Sequence, residues 1–260
     1  MVAGVIEVNQ LTKRYRANVA VDRLSFTVKP GMVTGFVGPN GAGKTTTIRL
    51  LLGLAAPTAG QALVGGRQYA SIRRPLHEVG ALLDANAVHP GRSAVNHLRW
   101  LARTNGIGPA RIVSTLEQVG LAGAARKRVG AFSLGMRQRL GIAAALLGDP
   151  GVLILDEPMN GLDPQGVRWI RDLMGALAAE GRAVLLSSHL MGEMELIADR
   201  LVIIGRGRLI ADTTVGELIS NAPTGRGATP DAPGQKATSL EDAYLRLTDE
   251  AVEHRAGGDR

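Results

Sequence analysis

Gly38-Pro39-Asn40-Gly41-Ala42-Gly43-Lys44-Thr45-Thr46 gathers three glycines, a lysine and two adjacent hydroxyls into nine residues. An apolar run at 33–37 precedes it and 47–52 follow in a helical pattern, so the segment reads strand, loop, helix. Glycines let successive backbone N–H groups face a polyphosphate, and a helix starting near Lys44 turns its positive dipole end toward the anion. In that setting Lys44 spans the β- and γ-phosphates and the Thr45 hydroxyl is offered to Mg²⁺. The chain is therefore expected to bind a nucleoside triphosphate.

A second constellation is Val152-Leu153-Ile154-Leu155-Asp156-Glu157-Pro158, a buried strand that ends in two carboxylates. Open α/β sheets place ligands at the carboxyl ends of their strands, where Asp156 can hold the metal and Glu157 can orient or deprotonate a water. Adjacent like charges need a metal or hydrogen bonds to be tolerated. Three further segments add to these two. Phe132-Ser133-Leu134-Gly135-Met136 leads into a helix, so Ser133 and the N–H groups after it form a second anion-binding helix start. One triphosphate cannot easily use both starts within one chain. Asn160-Gly161-Leu162-Asp163-Pro164 reads as a tight turn, and Ser187-Ser188-His189 follows another apolar strand. A lone histidine is more often structural than catalytic, but this one stands just past a core strand.

These residues must be positioned by strands, expected at 5–8, 24–28, 33–37, 63–64, 152–155, 183–186 and 201–204. The later runs are apolar throughout, which fits a sheet covered on both faces. Helical periodicity at 93–104, 109–119 and 135–147 predicts a helical subdomain, about 86–148, inserted into an α/β core spanning 1–219. Residues 220–238 are rich in Pro and Gly and read as a flexible linker. A helical tail is expected at 239–260, where Ser239 precedes Asp242 by three residues and apolar residues recur at helical spacing. That helix either packs on its own domain or docks a partner.

The formal charge of +7 is compatible with nucleotide, nucleic acid or anionic lipid as partner. Aromatic residues make up only 3%, which provides no stacking platform for single strands and argues against direct nucleic-acid binding. The absence of cysteine excludes disulfides, thiolate metal sites and cysteine nucleophiles. No export signal and no apolar run of membrane-spanning length is read.

The order of phosphate loop, signature serine, acidic strand, Gly161-Leu162-Asp163 turn and His189 resembles the ATP-binding subunits of ATP-binding cassette (ABC) transporters, from about residue 5 to 218. The resemblance implies a P-loop NTPase fold and an ATPase that uses ATP and Mg²⁺. It also implies a head-to-tail pair with a second copy or a related cassette, and an integral-membrane permease engaged at the cytoplasmic side of the membrane. On the same basis, Tyr15 would stack on adenine, and Gly38 to Thr46 would wrap the phosphates. Ser133 and Gly135 would reach the partner's γ-phosphate, His189 would contact the γ-phosphate, and Asp163 would communicate across the dimer.

The signature departs from the family's Leu-Ser-Gly-Gly-Gln, with Leu134 and Met136 replacing the first glycine and the glutamine. Asp84 stands where the family carries a glutamine that senses Mg²⁺. Both departures resemble the branch that serves drug, antibiotic or lipid-like exporters with separately encoded permeases. The competing readings are a non-transport ATPase of the same type and a regulatory module that binds nucleotide with weak hydrolysis.

Overall fold

The computed structural model describes residues 5–220, 240, 241, 243 and 244. Two long antiparallel strands, β1 (Ile6–Tyr15) and β2 (Asn18–Val28), pair with β4 (Ala59–Val64) in a three-stranded sheet of order β2-β1-β4. Between them in sequence come β3 (Met32–Val37) and α1 (Lys44–Leu51). Then follow α2 (Pro75–Glu78), β5 (Val79–Leu82), and the helices α3 (Ala94–Thr104), α4 (Pro109–Gln118) and α5 (Leu134–Leu146). Strand and helix alternate in the remainder: β6 (Val152–Asp156), α6 (Pro164–Ala179), β7 (Ala183–Ser188), α7 (Met191–Ile197), β8 (Arg200–Gly205), β9 (Arg208–Thr214) and α8 (Val215–Ser220).

The second sheet has the order β5-β6-β7-β3-β8-β9 and is parallel except for β9. Its register explains why distant motifs meet. Val37 stands opposite Ser188, and Ser187 stands opposite Asp156, so the carboxyl ends of β3, β7 and β6 lie side by side. The segments read as phosphate loop, acidic pair and His189 all leave the sheet at that edge, where open α/β sheets bind ligands.

Side chains alternate faces along a strand, and this divides the interior in two. In β6, Val152 and Ile154 join the cluster that holds Leu11, Phe36 and Ile48, under the antiparallel sheet and α1. Leu153 and Leu155 join the other, with Leu98, Leu140, Ile170 and Met174 from the helices. An uninterrupted apolar strand is what a sheet buried on both faces requires.

Helix starts follow local chemistry. Ser93 Oγ accepts from Asn96 N at 3.4 Å, Ser133 Oγ from Met136 N at 3.2 Å and Asp163 Oδ1 from Gly166 N at 2.7 Å. Each such cap contributes about 1 kcal/mol. Pro109 and Pro164 occupy first-turn positions, where no N–H is required.

Each expected strand and helix lies on an observed one, with differences at the boundaries. β1 and β2 extend well beyond the predicted runs, and β5, β9 and the helices α2, α6, α7 and α8 were not foreseen. The expected linker lies outside the described residues apart from Ser220, which closes α8. Of the terminal segment, Leu240 and Ala243 are helical and fully buried in the cluster containing Met191 and Met194 of α7. Leu240 N donates to Glu195 Oε2 at 3.3 Å, so this part of the tail packs on its own chain. No helix among the described residues is long and apolar enough to cross a membrane.

Candidate functional site

The loop from β3 to α1 is shaped by close approaches. A Cβ at Gly38 would lie 2.3 Å from the Ile204 carbonyl oxygen, and one at Gly43, whose φ is +106°, would lie 2.5 Å from that of Ala20. Only glycine fits at either position without moving backbone. Lys44 opens α1 and is 6% exposed. Its Nζ donates to Gly38 O at 2.6 Å and Pro39 O at 3.3 Å, and lies 3.8 Å from Glu157 Oε1. Burial pushes the Lys44 ammonium below the usual lysine range, and the Glu157 and Asp156 carboxylates partly offset that.

Thr45 Oγ1 donates to Asp156 Oδ2 at 2.7 Å. Asp156 Oδ1 accepts a short hydrogen bond from Ser187 Oγ, and the same Ser187 oxygen accepts from Glu157 N at 2.9 Å. Ser187 thus ties both carboxylate residues to β7. Glu157 has a φ of +50°, a left-handed conformation in a residue followed by Pro158. Such strain at a strand end is typical of a functional turn. The turn closes with Asn160 N donating to Glu157 O at 3.2 Å, and Asn160 Nδ2 donates to Glu157 Oε2 at 2.6 Å. His189 Nδ1 lies 2.8 Å from the same Oε2, so Glu157 is held from two sides while its Oε1 faces Lys44. Behind His189, Ser188 Oγ accepts from Leu190 N at 3.0 Å and donates to Glu193, whose carboxyl burial pushes up.

A cavity of about 540 Å³ opens over these groups. It is lined by Asn40, Gly41, Gly43, Lys44, Thr45, Thr46 and Glu157, together with Tyr15, residues 18–20 and Arg206. Tyr15 is 47% exposed, and Lys13 Nζ sits 4.9 Å from its ring centroid. Gly38 and Pro39 contribute through their carbonyls, Ala42 is buried beneath the loop, and Asp156 and His189 act through Thr45 and Glu157.

Three residues expected to act across a dimer stand apart from this cavity. Ser133, Gly135 and Asp163 lie outside the lining of this cavity. The Leu134 side chain, 43% exposed, leans over Gly161, where an added Cβ would lie 1.9 Å from Leu134 Cδ2. Asp163 caps α6 in the same turn. Asp84, which stands where the family carries a glutamine that senses Mg²⁺, lies outside the lining of this cavity. It is exposed at the rim of another groove, and its Oδ1 accepts from Asn86 N at 2.8 Å, closing a local turn. The sequence reading also passed over Ser187, Asn160, Glu193, residues 18–20 and Arg206. Only Ser187 and Asn160 had a visible cue, standing inside segments singled out for other residues.

A glycine loop wrapped around a buried lysine, with an acidic strand end beside it, defines a P-loop nucleoside triphosphatase. The family model described as ABC transporter matches residues 21–160, over half of the chain, and an AAA domain model matches 128–195. The chain is 45% identical over 212 residues to the uncharacterized ABC transporter ATP-binding protein YhcH of Bacillus subtilis (strain 168), covering 79% of this chain and 68% of that protein. It is 43% identical over 211 residues to the bacitracin transport ATP-binding protein BcrA of Bacillus licheniformis, covering 80% and 69%. A solved structure of an ATP binding subunit of an ABC transporter superposes with a TM-score of 0.80 at 28% identity, covering 94% of this chain and 99% of that one. The chain belongs to the ABC transporter family, as an ATP-binding, ATP-hydrolysing subunit.

Proposed function

We propose that this ATPase binds MgATP in the Lys44 cavity and pairs head to tail with a second cassette, its own copy or a related chain. The pair would drive an integral-membrane permease from the cytoplasmic side and export an antibiotic-like or lipid-like cargo. The cargo class is supported by the bacitracin transport relative and by the Ser133-Leu134-Gly135-Met136 signature. The pairing is supported by the position of the signature helix start, which lies outside the cavity that would hold the phosphates.

Thr45 Oγ1 and Asp156 Oδ2 are adjacent hard oxygens, a donor set that suits Mg²⁺, which takes one or two protein oxygens and completes its shell with phosphates and water. Bound there, the ion would neutralise charge on the β- and γ-phosphates. Lys44 exchanges the Gly38 and Pro39 carbonyls for phosphate oxygens. Glu157, held by Asn160 and His189, aligns a water for in-line attack and takes its proton. Ser133 Oγ already accepts from Met136 N, which leaves its own proton free for a γ-phosphate across the seam.

The observation that carries this reading is Glu157, fixed on one side by His189 and Asn160 and facing Lys44 on the other. Glu157→Gln keeps the shape and removes the base. We expect ATP binding to persist while hydrolysis by the protein with its permease falls about 10²- to 10⁴-fold in a phosphate-release assay. Undiminished turnover would remove Glu157 from its role.

A further inference from the structure

The two-residue turn between β8 and β9, Arg206-Gly207, brings a cation to the nucleotide cavity without any recognisable motif. The turn is fastened on both sides. Gly207 N donates to Ala42 O in the phosphate loop at 2.9 Å, and Gly207 O accepts from Asp22 N on β2 at 2.8 Å. A Cβ at Gly207 would lie 2.8 Å from Ala20 O, so the turn presses directly on β2, which lines the cavity through residues 18–20. Arg208, the next residue, pairs with Asp22. Arg206 engages no hydrogen-bond or ion-pair partner among the described residues and stands exposed at the rim.

The residue type is itself informative. Both turn residues have positive φ, 49° at Arg206 and 79° at Gly207. A two-residue hairpin loop of that kind favours Asn, Asp or Gly at its first position, and a long L side chain there is strained. The backbone would be better served by asparagine, so the strain points to a role for the arginine side chain.

We propose that Arg206 is a nucleotide-binding residue, closing the nucleoside end of the ATP cavity together with Tyr15. The phosphate end already has Lys44, two threonines and a helix start. Arg206 lines the same cavity as Tyr15 and residues 18–20, and its neighbour Gly207 packs on Ala20, so its guanidinium is available to the purine and ribose that Tyr15 would receive. A guanidinium is flat, weakly hydrated and able to stack on an aromatic base while donating to ribose or the nearest phosphate oxygen.

The inference rests on ATP occupying the Lys44 cavity. Arg206→Asn tests it, because asparagine suits the turn and the variant is expected to melt at the wild-type temperature or above. Calorimetry should show ATP and ADP binding weakened about three- to tenfold, while inorganic tripolyphosphate, used as a competitor, keeps its wild-type affinity. Unchanged ATP and ADP affinity in Arg206→Asn overturns the proposal, and so does an equal loss for tripolyphosphate, which would place the contact on the phosphates. Lys44→Ala, measured alongside, should weaken both ATP and tripolyphosphate. If it weakens neither, the cavity assignment itself fails; if it does and Arg206→Asn is silent, only the present inference is lost.

Discussion

Ser187 shows how much of the site depends on a residue that does no chemistry. Its single oxygen donates to Asp156 and accepts from Glu157 N, so it sets the distance between the proposed metal carboxylate and the proposed base. Ser187→Ala leaves the Glu157 N–H without its partner in a buried setting. We expect a loss of about 1–3 kcal/mol in stability by denaturant melt, together with a lower kcat and a raised Mg²⁺ requirement. Stability loss with unaltered Mg²⁺ dependence would reduce Ser187 to a purely structural residue. The loop itself was legible in sequence because its types and spacing are constrained: Gly38 and Gly43 stand where only glycine fits, and Lys44 and Thr45 open the helix that follows. Ser187 stood inside the segment singled out for His189, but a buried serine has no pattern that marks its own role. Arg206 was hidden because its importance depends on β8 lying beside β3, a neighbour relation absent from the linear order. Asp84 admits two readings in sequence because a carboxylate two residues past a strand serves a turn as readily as a metal, and here its Oδ1 accepts from Asn86 N.

Whole elements were missed where packing overrode composition. Strand β5 is Val79-Gly80-Ala81-Leu82, weak as a strand signal because α5 approaches so closely that a Cβ at Gly80 would lie 2.1 Å from Ala145 O. Strand β9 carries Arg208, Asp212, Thr213 and Thr214 along a sheet edge, where polar residues read as loop. Helices were missed as well: α6 has a local start signal in its Asp163 cap and Pro164, yet that segment was read as a turn. The contact between the start of α5 and the turn before α6 is the element-scale feature with a direct test. Leu134 occupies the space that a side chain at Gly161 would need, and Gly161 has a φ of +74°. Gly161→Ala is expected to destabilise by about 1–3 kcal/mol through overpacking and backbone strain. In a Leu134→Ala background the penalty should shrink to the strain alone. A double-mutant cycle in urea reads the difference, and a coupling energy near zero would mean the two residues do not share that space. Leucine at position 134 is on this view a partner for the turn as much as an altered signature.

For the molecule as a whole, the divided placement of Lys44 and Ser133 makes a prediction about mixtures. Lys44→Ala disables the phosphate loop of its own chain, and Ser133→Glu puts a negative charge at the signature helix start of its own chain. Each variant alone should lack measurable ATPase activity. In a mixed pair, the intact loop of the Ser133→Glu chain faces the intact signature of the Lys44→Ala chain, so mixing the two purified proteins should restore hydrolysis. Failure to recover any activity, with mixed pairs shown by cross-linking, would contradict a shared site. The fold class was readable from the sequence because continuous apolar strands between helices admit few architectures. How the two interior clusters divide along β6 was not, since it follows from the pleat. That division has a consequence for change over time. Val152 and Ile154 serve the compartment behind the phosphate loop, while Leu153 and Leu155 serve the helical compartment. Inserting or deleting one residue in this strand would swap both sets at once and move the acidic pair off the edge, so its length is held fixed by three independent demands, whereas the surrounding loops are free to grow.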